Sequence, residues 1–210
     1  MSAEAFGRYF PAVVTLDDLA AMNAADRYGH RYELSPEGAL SVTPPPDSEH
    51  AAIASRLMIW LAVAGWPAEQ VLQAVGIKIP GPDGGGGRIP DLTLWARPQP
   101  PAVWLDLADL LLVVEVVSPG SASADRVVKR LEYAAAGIAR YWVVERDPAQ
   151  TVTMHSLGKD GTYDVAAKVP LAWLLQTAPA DHQLGTHHGR PPGGRSAPHH
   201  SPRSEPSTGH

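Results

Sequence analysis

The sequence contains no cysteine, and this absence removes several classes of protein from consideration at once. Without thiols the chain has no disulfide framework, no cysteine nucleophile and no zinc–thiolate site. Its 210 residues, of which 44% are hydrophobic, are nevertheless sufficient for one domain with a well-formed core. The composition therefore predicts a globular protein and excludes a chain that is disordered as a whole.

Long apolar runs are also missing. Asp106, Asp109 and Glu115 interrupt the most hydrophobic stretch, so no segment reaches the roughly 18 apolar residues that a membrane-spanning helix needs. The first ten residues, MSAEAFGRYF, lack the basic flank and apolar core of a signal peptide. We expect a cytoplasmic protein with no membrane segment.

Positive charge is scarce. The net charge is −5, and because residues 177–210 hold three arginines against two acids, residues 1–176 carry −6. A domain that only coats DNA is usually basic. Any contact with DNA is therefore expected to depend on a local basic patch or on metal ions that offset the phosphates.

A change of composition divides the chain at Thr177. Six prolines, five glycines and six of the nine histidines fall in residues 177–210, with almost no large apolar side chains. Such a segment cannot bury enough apolar surface to offset the entropy lost on ordering. We predict one folded domain over residues 1–176 and a disordered tail over residues 177–210.

Hydrophobic periodicity and breaking residues predict alternating helices and strands. Helices are predicted for residues 15–25, 47–64 and 125–136, and strands for residues 31–34, 38–43, 71–79, 89–95, 110–117, 141–145, 151–157 and 162–168. The glycine-rich residues 80–88, PGPDGGGGR, lack the spacing and lysine of a phosphate-binding loop and are predicted to be a flexible connection. The order of elements predicts a mixed α/β layer fold.

Glu115 is the most informative residue, because it interrupts the apolar strand LLLVVEVV of residues 110–117. A strand of this composition is typical of one that is covered on both faces. An unpaired ionised carboxylate there would cost several kcal/mol, so Glu115 must be paired, protonated or directed into a polar site. A metal site is the natural candidate.

Asp91 is the second candidate ligand, because it begins another apolar strand. Carboxylates from neighbouring strands suit a hard ion such as Mg²⁺ or Mn²⁺. Lys129 lies on the helix that follows the Glu115 strand, where its ammonium could orient a nucleophile or offset transition-state charge in phosphodiester cleavage. Alternatively, Asp91 accepts ordinary turn hydrogen bonds, and Lys129 pairs with Asp125 or Glu132 on a solvated helix surface.

Six short motifs occur in order and together resemble a known family. They are R-Y-E-L at residues 31–34, P-P-x-S-E-H at 45–50, I-P-D-L at 89–92, V-V-E-V-V-S-P at 113–119, D-x-x-x-K-R-x-x-Y at 125–133 and A-G-I-x-x-Y-W-V-V at 136–144. Over roughly residues 15–168 the chain resembles the Uma-two family of restriction endonucleases, a branch of the PD-(D/E)xK nuclease superfamily. Each motif alone is weak, but the ordered set is specific.

The resemblance implies a restriction-endonuclease-like core, a central mixed β-sheet flanked by α-helices, and Mg²⁺-dependent cleavage of DNA. It makes Asp91 and Glu115 the metal-binding acids and Glu33 a further acid of the site, the alternative being that Glu33 is a surface strand residue. We expect His50 to assist by contacting a phosphate or tuning Glu33, the alternative being a satisfied polar residue at the start of its helix. Where the superfamily has a lysine two residues after the second acid, this chain has Val117, and the resemblance assigns that role to Lys129. Because enzymes of this kind that cut both strands often pair, it also implies a homodimer.

Two other functions remain open. The first is a catalytically degenerate, nuclease-like module that binds nucleic acid or a protein, which Val117 and the acidic balance favour. The second is a metal-dependent hydrolase of small phosphoesters.

Overall fold

A computed structural model describes residues 13–118 and 124–184. Within these residues the helices are α1 (Leu16–Ala25), α2 (Ser48–Val63), α3 (Lys129–Ala135) and α4 (Leu171–Leu174). The strands are β1 (Arg31–Leu34), β2 (Leu40–Thr43), β3 (Val71–Gln73), β4 (Gly76–Ile79), β5 (Gly86–Arg88), β6 (Leu92–Trp95), β7 (Trp104–Leu105), β8 (Leu110–Val116), β9 (Arg140–Val144), β10 (Thr151–Leu157) and β11 (Tyr163–Pro170). In this part of the chain no helix is both long enough and apolar enough to cross a membrane.

The strands form two mixed sheets. The first has the order β2-β1-β5-β4-β7 and the second the order β11-β10-β9-β8-β6-β3. Neighbouring strands are antiparallel except β4 with β7 and β8 with β9, which are parallel. The predicted α/β class is confirmed, with two mixed sheets rather than one.

Strand β8 is covered on both faces, as its apolar sequence predicts. On one face Val114 and Val116 belong to a core cluster that includes Leu57 of α2. On the other face Val113 belongs to a second cluster, which includes Tyr133 of α3. Because successive side chains of a strand alternate, Glu115 lies on the α3 face.

The first two helices begin where their capping residues predict. Thr15 and Asp18 form a reciprocal capping box at the start of α1. Asp47 caps α2 by accepting a hydrogen bond from the backbone N–H of His50, at 3.0 Å. This cap fixes the first turn of α2 so that His50 is buried.

The single strand predicted for residues 71–79 is wrong. The chain breaks between β3 and β4 at Ala74, whose φ of 51° lies in the left-handed region. Strand β3 then pairs with β6 in the second sheet, while β4 pairs with β5 in the first. The apolar pattern is continuous across the break because both short strands are buried on at least one side.

The flexible connection predicted for residues 80–88 is also wrong at its end. Gly86, Gly87 and Arg88 form β5, between β1 and β4 in the first sheet. A Cβ atom on Gly86 would overlap the backbone of Leu34, and one on Gly87 would lie 2.7 Å from the ring of Trp104. These glycines therefore allow close packing of the strand that carries Arg88, instead of providing flexibility.

The helix predicted for residues 125–136 is present with an altered start. Residues 124–128 form one π-helical turn, and α3 follows from Lys129 to Ala135. Gly137, which has a φ of 76°, lies just after the end of the helix. Beyond residue 176, the indole of Trp60 donates to the carbonyl of Thr177 at 2.8 Å, and Leu184 is buried in the α2-side core. The remainder of the predicted tail, residues 185–210, lies outside the described residues.

Replacing Leu57 by alanine tests the core between α2 and β8. The side chain is 1% exposed, so Leu57→Ala should lower the free energy of unfolding by about 2–5 kcal/mol. Ile59→Ala on the same helix is the control: that side chain is 55% exposed, and the expected change is about 0.5 kcal/mol or less. Urea denaturation measures both, and equal losses would contradict this packing.

Candidate active site

A cavity of about 600 Å³ opens between the β1–β2 hairpin, the start of α2, the end of β8 and the inner face of α3. The five side chains predicted from the sequence all line this cavity: Glu33, His50, Asp91, Glu115 and Lys129. All five are buried, and none is more than 7% exposed. The fold therefore brings together residues that are separated by up to 96 positions in the chain.

Asp91 and Glu115 are neighbours because β6 and β8 are paired. The antiparallel register places Leu92 opposite Val114. Asp91, one residue before Leu92, consequently lies beside Glu115, one residue after Val114. The backbone N–H of Val116 donates to Asp91 Oδ2 at 2.8 Å, which fixes the carboxylate against the end of β8.

Both oxygens of Asp91 are engaged. His50 Nε2 donates to Oδ2 at 2.9 Å, and an Arg31 guanidinium nitrogen donates to Oδ1 at 2.9 Å. Burial by itself would raise the pKa of Asp91, but His50, Arg31 and the Val116 N–H together hold the pKa below its ordinary value. Asp91 is therefore ionised. Its carboxylate accepts hydrogen bonds from His50, Arg31 and the Val116 N–H and not the turn hydrogen bonds of the alternative interpretation.

Glu115 is held by α3. Lys129 Nζ donates to Glu115 Oε1 at 2.9 Å, and the Tyr133 hydroxyl, one helical turn further, donates to the same oxygen at 2.8 Å. Burial raises the pKa of Glu115 well above its ordinary value. Lys129 opposes this rise in pKa, whereas the negative charges of nearby acids add to it.

Lys129 reaches the site from the helix, while Val117 is buried in the second core cluster. The ammonium lies 3.4 Å from both Glu33 and Asp125, besides its contact with Glu115. Burial would lower the pKa of Lys129, but these three carboxylates raise it above its ordinary value, so the side chain stays protonated. The alternative of a solvated surface pair is wrong, because the lysine side chain is only 8% exposed.

Glu33 joins the two sheets. It lies on β1, and its Oε1 accepts the backbone N–H of Ile89 at 2.7 Å, just after β5. Its Oε2 faces both Arg88 and Lys129 at 3.4 Å. Glu33 therefore connects the first sheet to Lys129 of α3, which in turn binds Glu115 of the second sheet.

Four charged residues of this network were not predicted from the sequence as site residues, namely Arg31, Arg88, Asp125 and Glu132. Arg88 binds Glu132 through two hydrogen bonds of 2.8 and 2.6 Å, and both side chains are buried. The available signal for Glu132 is its helical spacing from Asp125 and Lys129, which puts three charges on one face. No local signal identifies Arg88, since it ends a glycine run.

The network holds more carboxyl groups than permanent cations. Its five buried carboxyl groups belong to Glu33, Asp91, Glu115, Asp125 and Glu132, and its permanent cations are Arg31, Arg88 and Lys129. In residues 13–118 and 124–184, however, no three acids or histidines converge closely enough to form a ready-made metal cage.

Glu115→Gln should change how stability depends on pH. The ordinary pKa is 4.5 and the folded pKa is higher, so folded protein keeps this proton to higher pH than unfolded protein. The contribution of Glu115 to the stability of the wild type should therefore fall as pH rises above about 4.5, until the folded pKa is passed. Urea denaturation in the presence of a chelator measures this difference. Over this pH interval the free energy of unfolding of Glu115→Gln should increase relative to that of the wild type, and in acid the two values should become similar. A pH-independent difference would contradict the raised pKa.

The Arg88–Glu132 pair should behave as a structural ion pair. Arg88→Met leaves Glu132 buried without its cation and should cost about 3–5 kcal/mol of unfolding free energy. Arg88→Met combined with Glu132→Leu should recover most of that loss, because neither charge is then left unpaired. Denaturant unfolding of the two variants makes the comparison, and additive losses would argue against the pair.

Comparison with known proteins agrees with this architecture. No curated protein is similar enough in sequence to count as a relative. The family model Uma2, described as "Putative restriction endonuclease", matches residues 16–181. The crystal structure of a "putative nuclease belonging to DUF820" from Anabaena variabilis superposes with a TM-score of 0.54 at 19% identity, covering 70% of this chain and 82% of that one.

This superposition confirms the restriction-endonuclease-like fold. The family match spans all six sequence motifs and both sheets. The chain belongs to the Uma2 family.

Proposed function

We propose that the protein is a Mg²⁺-dependent endonuclease that hydrolyses phosphodiester bonds in DNA. The observation that carries this proposal is the convergence of Asp91, Glu115 and the Lys129 ammonium in one buried cavity. Membership of a family described as putative restriction endonucleases supports a nuclease, and the neighbouring structure of a putative nuclease agrees with it.

The donor set fits a hard divalent cation. Asp91 and Glu115 supply carboxylate oxygens from adjacent strands, which Mg²⁺ and Mn²⁺ prefer, and both ions keep several waters when protein ligands are few. When bound, the ion would polarise a phosphate oxygen and lower the pKa of a water molecule.

The side chains of the chain itself have distinct proposed roles. Lys129, kept protonated by its three carboxylates, would orient the attacking water or offset charge on the phosphate in the transition state. His50 and the Val116 N–H hold Asp91 in place. Glu33 positions Lys129, so it is a positioning residue in this scheme.

One observation favours the alternative of a nuclease-like binding module. Within the described residues no three metal-binding groups converge, and Lys129 is tied to carboxylates. A module of this kind would bind DNA stoichiometrically without a divalent ion, and Glu115→Ala would leave that binding unchanged. Homodimerisation, implied by the family resemblance, stays a prediction.

The proposed function predicts that Asp91→Asn, Glu115→Gln and Lys129→Met each lower DNA cleavage at least about 100-fold while the protein stays folded. A labelled plasmid and a linear duplex, incubated with Mg²⁺ or Mn²⁺, measure cleavage, and thermal melting checks the fold. Asp164→Asn removes a comparable charge from an exposed position on β11 and should cleave like the wild type.

Metal binding is measured separately by titration calorimetry without DNA. The wild type and Asp164→Asn should bind Mn²⁺, and Asp91→Asn and Glu115→Gln should bind it far more weakly. Cleavage that survives in folded Glu115→Gln would rule out the proposed site. Turnover of a chromogenic phosphodiester without DNA cleavage would instead identify a hydrolase of small phosphoesters.

A further inference from the structure

Arg31 is the cation whose position the proposed chemistry does not yet explain. It is the first residue of β1 and lines the cavity. Its guanidinium donates to Asp91 Oδ1 at 2.9 Å and to the carbonyl of Ile89 at 3.4 Å. Arg31 therefore occupies the oxygen of Asp91 that His50 and the Val116 N–H leave available.

The cations of the cavity differ in how firmly they are held. Arg88 makes two hydrogen bonds to Glu132 and also faces Glu33, and Lys129 is surrounded by three carboxylates. The side chains of Arg88 and Lys129 are 6% and 8% exposed, whereas that of Arg31 is 20% exposed. Among residues 13–118 and 124–184, Arg31 forms an ion pair with Asp91 alone. In the described part of the chain, Arg31 is the cavity cation that can leave its partner at least cost.

A divalent ion on Asp91 would compete with this guanidinium. Both would lie within about 4 Å of the same carboxylate oxygen, where like charges in a partly buried site repel strongly. The arginine side chain is long, and its planar fork matches two oxygens of a phosphate as well as those of a carboxylate. Once displaced, it would remain at the cavity wall, where a phosphodiester would have to enter.

We propose that Arg31 occupies Asp91 in the resting site in place of the metal ion, and that it transfers to the substrate phosphate when the ion binds. This role rests on the proposed function, because it needs both a divalent ion on Asp91 and a phosphodiester in the cavity. In this role Arg31 couples metal binding to substrate binding. No covalent step is involved, since the arginine exchanges one oxyanion partner for another.

The test compares Arg31→Met and Arg31→Lys with the wild type, first with Mn²⁺ alone in the calorimeter. Loss of the competing charge in Arg31→Met should tighten the Mn²⁺ dissociation constant at least about tenfold. Arg31→Lys keeps a cation, so its dissociation constant should stay closer to that of the wild type. A purely supporting role for Arg31 predicts the opposite, namely unchanged or weaker metal binding.

The second measurement is DNA cleavage at saturating Mn²⁺. Arg31→Met should lower kcat/KM at least about tenfold despite its tighter metal binding, and Arg31→Lys should also fall because a point charge cannot replace the bidentate fork. Arg27→Met is the control, since it removes an exposed arginine near the start of β1 and should change neither quantity. Thermal melting with and without Mn²⁺ establishes that each variant is folded.

The outcomes separate this proposal from the one on which it rests. In one outcome the wild type binds Mn²⁺ and cleaves DNA, and Arg31→Met has the same Mn²⁺ dissociation constant or the same kcat/KM. That outcome overturns the role of Arg31 and leaves the proposed nuclease function intact. Absence of both Mn²⁺ binding and cleavage in every protein overturns the nuclease and the role of Arg31 together. Tighter metal binding combined with slower cleavage in Arg31→Met supports both.

Discussion

The buried contact between Glu115 and Lys129 is the interaction on which the site depends. Either charge alone would be costly at 3% or 6% exposure, and the pair is tolerated because further polar groups surround it. Tyr133 donates to the same Glu115 oxygen, and Glu33 and Asp125 face the ammonium. A buried polar group that loses its partner is costly, so each of these contacts contributes to the stability of the site.

The network also explains why two sheets meet here. Glu33 comes from the first sheet and Glu115 from the second, and Lys129 of α3 contacts both. Helix α3 and the π-helical turn before it bury three charged residues: Asp125, Lys129 and Glu132 are each at most 8% exposed. Tyr133 is buried beside them in the second core cluster, whereas Val127, Val128 and Leu131 are 47%, 44% and 61% exposed. Ion pairs therefore position this helix together with the packing of Tyr133.

Local signals were sufficient for much of the fold. Capping residues located the starts of α1 and α2, and an apolar run with one acid identified β8 and its central residue. They failed at residues 71–79, where one apolar pattern belongs to strands of two different sheets, and at residues 86–88, where glycines suggested a loop. In both places the local structure is determined by pairing with another strand, and neither periodicity nor composition predicts that pairing.

The sequence by itself indicated which residues line the candidate site. A carboxylate in a strand buried on both faces requires a partner, and the ordered motifs named the residues that belong with it. Only the tertiary structure decided which charges meet. Arg88 and Glu132 lie 44 positions apart, and Arg31 and Asp91 lie 60 apart. The sequence gives the sign of each side chain's charge. Its ion-pair partner, however, is determined by how the sheets pack, and that packing depends on contacts throughout the chain.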